Sequence, residues 1–213
     1  NRHMYPSDAY ALCMVCSLLG KELTPKYAFV FVDEAQDISK NEYDLLMRIN
    51  CKASFDVFGD LEQNVTAWRG VGDWRAAFPD FEVFTLNQNY RNTNQIVDFV
   101  ASALKVDMQS IGFDGPEVQH IAPRGISAFF RDKKGLKAVI CSEKDKEKYL
   151  RKAYSVVSEK GRVSRTRINL MSVYESKGLE FTSVAVVPAH MTPNEKYIAY
   201  TRALKELAIV EEK

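Results

Sequence analysis

The sequence has no excess of charge of one sign, few cysteines and no long apolar run, and each absence excludes a class of protein. Lys and Arg number 29 and Asp and Glu number 28 among 213 residues, which gives a net charge of +1. This balance argues against a histone-like nucleic-acid coat, although a local basic patch is compatible with it. No apolar stretch approaches the roughly 18 residues that a membrane-spanning helix needs, and the polar first residues do not resemble a signal peptide. We therefore expect a cytoplasmic protein with no membrane partner.

The cysteine content argues against a zinc site and against a disulfide framework. Four cysteines are present, and only Cys13 and Cys16 form a C-x-x-C pair. A structural zinc site of this kind needs a second pair, which the sequence lacks. We interpret Cys13 and Cys16 as buried thiols on an amphipathic helix.

Short apolar runs alternate with segments of helical periodicity, and this alternation predicts a parallel α/β architecture. The length allows one large domain or two small ones. Continuous apolar runs such as YAFVFV at 27–32 are typical of strands that are covered on both faces. The predicted strands are 27–32, 55–58, 82–86, 137–141, 168–173, 183–187 and 207–210, and the predicted helices are 7–19, 38–49, 93–104, 143–160 and 195–205.

An acidic motif follows the first predicted strand. The segment FVFVDEAQD places Asp33 and Glu34 directly after the apolar run. Open α/β sheets bind ligands at the carboxyl ends of their strands, and Mg²⁺ prefers carboxylate oxygens beside substrate phosphates. A second carboxylate can orient or deprotonate an attacking water. The alternative is a helix-capping pair of acids, but Gln36 and Asp37, which follow directly, favour the functional interpretation.

A second motif, GDLEQNVTAWRG at 59–70, follows the next predicted strand. The amide of Gln63 can sense a phosphate or position a water, and Trp68 offers a flat face on which a base can stack. The alternative for Trp68 is packing in the core, and the alternative for Gln63 is a solvated loop. The residues alone leave both alternatives open.

A third motif, LNQNYRNT at 86–93, sets Tyr90 beside Arg91. An aromatic ring next to an arginine suits stacking on a purine together with a charge on a phosphate. Asn92 or Thr93 can also cap the helix that follows. These two interpretations are compatible with each other.

Two more motifs lie near the end of the chain. In INLMSVYESKGLEF at 168–181, Lys177 and Gly178 can meet an anion and Glu180 can accept a hydrogen bond from a sugar hydroxyl. In YIAYTRALKEL at 197–207, Arg202 can stabilise charge on a phosphate. Each of these motifs alone would be interpreted as a charged, solvent-facing segment.

The order of the five motifs decides between these alternatives. DEAQD, GDxxQxxxxWRG, NYRxT, KGLEF and YxAxTRA follow one another as motifs II to VI do in superfamily 1 DNA helicases of the Rep/UvrD type, which the chain closely resembles from 27 to 207. The short stretch between NYRxT and KGLEF is most similar to compact helicase IV-like members. The resemblance implies RecA-like domains with the P-loop NTPase fold. Residues 1–84 would be the C-terminal part of the first domain, with motifs II and III, and residues 85–213 would be the second, with motifs IV to VI.

The resemblance also implies that ATP and Mg²⁺ are the cofactors, bound between the two domains. Asp33 would hold Mg²⁺, and Glu34 would be the general base for the water that attacks the γ-phosphate. The other implied roles are Gln63 as the residue that couples the γ-phosphate to the DNA site, Tyr90 on the adenine, Arg91 and Arg202 on the γ-phosphate, and Glu180 with Gly178 on the rest of the nucleotide.

Single-stranded DNA is the implied partner of the motif residues that do not face ATP. Trp68 would be the base-stacking platform, and Ser172, Tyr174 and Lys177 would lie on the DNA side of their motif. The implied activity is ATP-driven translocation from 3′ to 5′, with DNA repair proteins or RNA polymerase as partners. Two departures from the family pattern are Tyr174, where histidine is common, and Asn92, where serine is usual; we expect the second to be mild.

The largest departure is the absence of a G-x-x-x-x-G-K-[ST] loop from the 213 residues. In P-loop NTPases, this loop supplies backbone amides and a lysine for the phosphates and a hydroxyl for Mg²⁺. We therefore expect a C-terminal fragment of a helicase that is inactive alone and whose partner is the missing N-terminal helicase region. The alternative is a non-enzymatic DNA- or protein-binding module derived from a helicase.

Overall fold

The chain divides into two compact units, Asn1–Val83 (unit 1) and Phe84–Lys213 (unit 2). The computed structural model describes residues 5–23, 27–65, 70–157 and 162–211. Within these residues, no helix has the length and apolar character needed to cross a bilayer. The assignment of the two units as a cut first domain and a complete second domain stays a prediction.

Unit 1 contains a pair of parallel strands whose inner face packs on a small core. Val32 lies opposite Val57 in the register, and Tyr43 and Phe78 pack edge to face with their ring centroids 4.6 Å apart. A capping box begins the second helix, because the Ser39 hydroxyl accepts from the Glu42 N–H and the Glu42 carboxylate accepts from the Ser39 N–H. The elements are α1 (Pro6–Leu18), β1 (Phe29–Val32), α2 (Lys40–Ile49), β2 (Ser54–Val57) and α3 (Trp74–Ala77).

Unit 2 is built on a six-stranded, fully parallel sheet with the order β5-β10-β9-β6-β8-β7. A two-stranded parallel pair, β3 with β4, lies outside this sheet. The elements are β3 (Gln88–Asn89), α4 (Asn94–Leu104), β4 (Gln109–Ser110), β5 (Gln119–Ile121), α5 (Ile126–Phe129), β6 (Lys137–Cys141), α6 (Lys146–Tyr149), β7 (Tyr154–Val156), β8 (Ile168–Ser172), α7 (Val173–Ser176), β9 (Phe181–Val186), α8 (Pro193–Thr201) and β10 (Ala203–Val210).

The large sheet is buried on both faces, as parallel sheets require. Val139 and Leu170 pack with Phe129 of α5 on one face. Ile140 and Met171, whose side chains point to the other face, are also fully buried. Helix α4 contacts β10, and α8 contacts β9 and β10. The predicted parallel α/β fold is therefore confirmed.

Several predicted elements differ from the structure. Phe29 and Phe31 are 65% and 67% exposed, so only one face of β1 is covered within the described residues. Segment 82–86 forms no strand. The predicted helix over 143–160 is wrong over its described part, because the buried side chain of Tyr154 pairs as part of strand β7 with β8. The predicted helix over 195–205 ends at Thr201, because the chain enters the sheet at Ala203.

Candidate nucleotide and nucleic-acid sites

The end of β1 presents the two adjacent carboxylates in a tightly turned backbone. Glu34 has a left-handed φ of 51°, and its N–H donates to Asp33 Oδ1 at 2.8 Å. Gln36 Nε2 then donates to Glu34 Oε2 at 2.6 Å. A left-handed backbone in a non-glycine residue costs stability, and such residues cluster at functional sites. In this turn, one oxygen of the Glu34 carboxylate is held by Gln36, and the Asp33 side chain stays exposed.

The buried side chain of Gln36 joins the first two motifs. Its Oε1 accepts from the Asp60 N–H at 3.0 Å, and its backbone carbonyl accepts from the Val71 N–H at 3.2 Å. A Cβ at Gly70 would lie 1.9 Å from that carbonyl oxygen. The WRG glycine is therefore required by the close approach of two backbones.

Gln63 reaches the same network through Asp60. Its Nε2 donates to Asp60 Oδ2 at 2.8 Å, and the Asp60 N–H binds Gln36. Three hydrogen bonds thus connect Gln63 to the Glu34 carboxylate. Trp68, the predicted base platform, lies outside the described residues.

The donor set at the end of β1 fits Mg²⁺ held jointly with a substrate. The described residues contain no cluster of three or more His, Cys, Asp or Glu side chains that could form a closed metal site. Magnesium, however, is usually bound by one or two carboxylates together with phosphate oxygens and waters. Asp33 can supply one such carboxylate.

In unit 2, the motif residues predicted for ATP collect at the amino ends of β9 and β10. Arg91 Nη1 and Glu180 Oε1 form an ion pair at 2.8 Å. Glu180 directly precedes β9 and Arg202 directly precedes β10, and the Phe181 N–H donates to the Arg202 carbonyl at 2.9 Å. Tyr90 lies beside this pair in sequence, and its ring is exposed.

The Arg202 side chain is buried and held by backbone carbonyls. Its Nε donates to the Ile198 carbonyl at 3.2 Å, and its Nη1 donates to the Leu179 carbonyl at 3.4 Å. The guanidinium is therefore fixed in position without any nucleotide. Arg91, in contrast, is exposed and held by a single carboxylate.

Asn92 ties the third motif to the start of β10. It is 1% exposed, and its Nδ2 donates to the carbonyls of Thr201 at 3.0 Å and Ala203 at 2.6 Å. A serine hydroxyl has only one proton to donate, so asparagine is not a mild replacement here. Thr93 occupies the N-cap position of α4, but its hydroxyl makes no capping hydrogen bond.

Two residues predicted for DNA, Ser172 and Tyr174, lie at the opposite end of the sheet. Ser172 ends β8 and forms a capping box with Glu175, which also pairs with Lys146 Nζ at 2.5 Å. Tyr174 is exposed on α7. Lys177 and Gly178 follow α7, and Gly178 has a left-handed φ of 72° with open space around it. Ser172 and Tyr174 thus lie at the carboxyl end of the sheet, whereas Arg91, Glu180 and Arg202 lie at the amino end.

The sequence interpretation missed a cluster at the carboxyl ends of β6 and β9. His190 Nδ1 lies 3.1 Å from Asp145 Oδ2, and the Ser142 hydroxyl donates to the same oxygen at 2.7 Å. Burial opposes ionisation of Asp145, but the hydrogen bonds from Ser142 and His190 outweigh it and lower its pKa. The S-x-x-D spacing after a strand and a histidine after the next central strand were the available signals.

Comparisons with known proteins match the chain to one family model and find partial similarity to curated helicases. Residues 7–211 match the model of the viral superfamily 1 RNA helicase core domain. The chain is 33% identical over 78 residues to the ATP-dependent DNA helicase Rep of Escherichia coli (strain K12), a match that covers 34% of this chain and 12% of Rep. It is 30% identical over 86 residues to the ATP-dependent DNA helicase PcrA of Staphylococcus epidermidis, covering 38% of this chain and 12% of PcrA. The chain thus matches only a small part of the length of these relatives.

Two solved structures share the fold. The PRRSV helicase superposes with a TM-score of 0.55 at 16% identity, covering 91% of this chain and 36% of that one. The arterivirus nonstructural protein 10 helicase, solved in complex with DNA, superposes with a TM-score of 0.52 at 20% identity, covering 89% and 41%. These similarities confirm the predicted RecA-like fold.

Proposed function

Because the chain belongs to the viral superfamily 1 RNA helicase core domain family, we propose that it is part of an ATP-dependent helicase that moves along single-stranded DNA from 3′ to 5′. The observation that carries this proposal is the Asp33–Glu34 pair at the end of β1, joined through buried Gln36 to the loop of Gln63. Rep and PcrA, to which the chain is similar, are named DNA helicases, and this favours DNA as the strand.

Glu34 is the proposed general base for ATP hydrolysis. Its Oε2 is held by Gln36 at 2.6 Å, so the carboxylate is oriented before any substrate arrives. It would accept the proton of the water whose oxygen bonds to the terminal phosphorus as the bond to ADP breaks. Asp33 would hold Mg²⁺, which neutralises phosphate charge when it is bound.

Gln63 is proposed to couple hydrolysis to the strand. Its amide bonds to Asp60, and Asp60 bonds to Gln36. A displacement of Gln63 therefore reaches the Glu34 carboxylate through side-chain and backbone hydrogen bonds. In the proposed function, this network links the state of the phosphate to the loop that carries Trp68.

The nucleotide contacts proposed for unit 2 require one ion pair to open. Arg91 would bind the γ-phosphate and Glu180 the ribose, yet the two side chains bind each other at 2.8 Å. An exposed pair of this kind contributes only about 0–1 kcal/mol, so a nucleotide can displace it readily. Arg202 is already fixed by carbonyls, and Tyr90 offers an exposed ring for the adenine.

The N-terminal helicase region is the proposed partner of β1. Parallel strands are normally covered on both faces, but Phe29 and Phe31 leave an apolar face open in the described residues. The missing P-loop would be supplied by the same region. Binding of a dye for exposed apolar surface should fall when that region is present, and unchanged dye binding would contradict this part of the proposal.

ATP turnover tests the function directly. The 213-residue chain alone should show negligible DNA-stimulated hydrolysis, because it lacks a phosphate-binding loop. A turnover of about 1 s⁻¹, within the ordinary range of enzymes, would contradict this expectation.

A matched pair of variants tests Glu34. In a protein that also carries the P-loop region, Glu34→Gln should abolish hydrolysis and spare nucleotide binding. Glu62→Gln changes an exposed acid of the same unit and should leave hydrolysis unchanged. Persistent hydrolysis in Glu34→Gln would refute the general-base role, and absence of hydrolysis in the unmodified protein would favour a non-enzymatic binding module.

A further inference from the structure

Three neighbouring strands of unit 2 end in one continuous row of polar side chains. The sheet order places β9, β6 and β8 side by side and parallel, so their carboxyl ends adjoin. His190 follows β9 and contacts Asp145, which follows β6. Lys146, the next residue, pairs with Glu175, which follows β8. The carboxyl end of a parallel sheet is also where ligands of such folds bind.

The backbone of His190 is held in an unusual conformation. Its φ is 61°, in the left-handed region, which costs stability for any residue with a side chain. Its side chain is 61% exposed, whereas that of its partner Asp145 is 9% exposed. The strained backbone therefore carries an imidazole that is anchored at one end and open to solvent at the other.

The contact with Asp145 determines which ring nitrogen faces solvent. Nδ1 lies 3.1 Å from Asp145 Oδ2, and Nε2 has no hydrogen-bond partner in the part of the chain that the structure describes. The carboxylate can only accept, so Nδ1 is the donor to Asp145 and Nε2 is the ring nitrogen that faces solvent. With an anionic phosphate at Nε2 as well, both ring nitrogens would donate, as they do in the protonated ring. A charged N–H donor of this kind suits a phosphate oxygen.

We propose that His190 binds a backbone phosphate of the single-stranded nucleic acid and that Asp145 is its positioning residue. This inference rests on the proposed function, since it extends the strand site of Ser172 and Tyr174 from the end of β8 to the end of β9. Those two strands lie two strand spacings apart, roughly 10 Å, so one nucleic-acid strand that crosses this edge passes both. Lys146 is engaged by Glu175, whereas the His190 side chain is 61% exposed beside the end of β6.

The experiment measures binding of the 213-residue chain to fluorescein-labelled oligo(dT) by anisotropy at several salt concentrations. His190→Asn is the main variant, because asparagine tolerates a left-handed φ and carries no charge. We expect its affinity to fall about tenfold and the slope of log affinity against log salt to decrease in magnitude by about one. His120→Asn is the matched control. His120 also pairs with a carboxylate, that of Glu211 at 2.7 Å, but it lies in a regular strand. The His120→Asn variant should bind oligo(dT) as the wild type does.

Asp145→Asn tests the positioning role. The substitution should weaken oligo(dT) binding in the wild-type background and have no further effect on binding in the His190→Asn background. If Asp145 had a purely structural role, the substitution would weaken binding equally in both backgrounds. If Asp145→Asn does not fold, as judged by circular dichroism, the His190→Asn result decides alone.

The outcomes separate this inference from the proposed function. Unchanged affinity and salt slope in His190→Asn, with normal binding by the wild type, would overturn the inference and leave the proposed function intact. Equal losses in His190→Asn and His120→Asn would show a general charge effect and would also overturn it. Absence of any binding by the wild-type chain at low salt would overturn both.

Discussion

Replacing Asn92 with alanine should destabilise unit 2 strongly. The side chain is 1% exposed, and it donates to the Thr201 and Ala203 carbonyls and accepts from Asn89 Nδ2 at 2.8 Å. Each such hydrogen bond contributes about 1 kcal/mol net, and buried carbonyls that lose their donor stay unpaired. We therefore expect Asn92→Ala to lower the free energy of unfolding by about 3 kcal/mol.

Two further variants grade the effect. Serine at position 92 can donate at most one of the two bonds to the carbonyls, so Asn92→Ser should cost about 1–2 kcal/mol. Asn87 also donates a side-chain bond, to Asp107 at 3.1 Å, but that pair is exposed. Asn87→Ala should therefore change stability by less than about 0.5 kcal/mol.

Urea denaturation can assign the loss to unit 2. Both tryptophans of the chain, Trp68 and Trp74, belong to unit 1, so their fluorescence follows that unit, whereas far-ultraviolet circular dichroism follows both. Asn92→Ala should shift the dichroism transition and leave the fluorescence transition in place. A loss smaller than about 0.5 kcal/mol, or a shift seen only by fluorescence, would refute the hydrogen-bond reasoning.

Three other predictions follow from single contacts. Gly70→Ala should destabilise unit 1 by at least about 1–3 kcal/mol, because its Cβ would lie 1.9 Å from the Gln36 carbonyl oxygen, while Gly72→Ala, with no atom within 4 Å, should be tolerated; equal urea midpoints would contradict this. Thr93→Val should be neutral or stabilising by up to about 1 kcal/mol, because the Thr93 hydroxyl is buried without a partner among the described residues; a clear loss of stability would show a hidden partner. Burial opposes ionisation of Asp145, but hydrogen bonds from Ser142 and His190 lower its folded-state pKa. The ionised Asp145 carboxylate stabilises the fold at pH values above its pKa in the unfolded chain. This stabilisation is lost as the pH falls through the lower pKa of the folded state, so the thermal stability should decrease below about pH 4. The decrease should be less steep in Asp145→Asn.

The sequence predicted those elements whose signals are local. The strands β6, β8 and β9 are rich in apolar residues, because both of their faces are buried in the sheet. The predicted helix over 38–49 corresponds to α2, whose capping box joins two partners within one turn. The Asp33–Glu34 pair at the end of β1 was predictable for the same reason.

Other elements could not be predicted because distant residues decide them. The charged segment after β6 resembles a helix, but Tyr154 is buried as part of the edge strand β7, which requires β8 beside it. The exposed segment 82–86 has strand-like residues, yet no neighbouring strand pairs with it among the described residues. Periodicity alone does not reveal whether a partner strand is present.

The sequence by itself determined the parallel α/β class, the chemical types of the motif residues and the family they resemble, because these depend on residues close together in the chain. Only the tertiary structure decided which motifs meet. The order of strands in the sheet sets His190 against Asp145, and Asn92 against the start of β10 more than a hundred residues away. It also separates the ends of the sheet, with Arg91, Glu180 and Arg202 at one and Ser172 at the other. Strand order is a property of the whole packed sheet, since each strand is placed by the neighbours with which it shares hydrogen bonds and core.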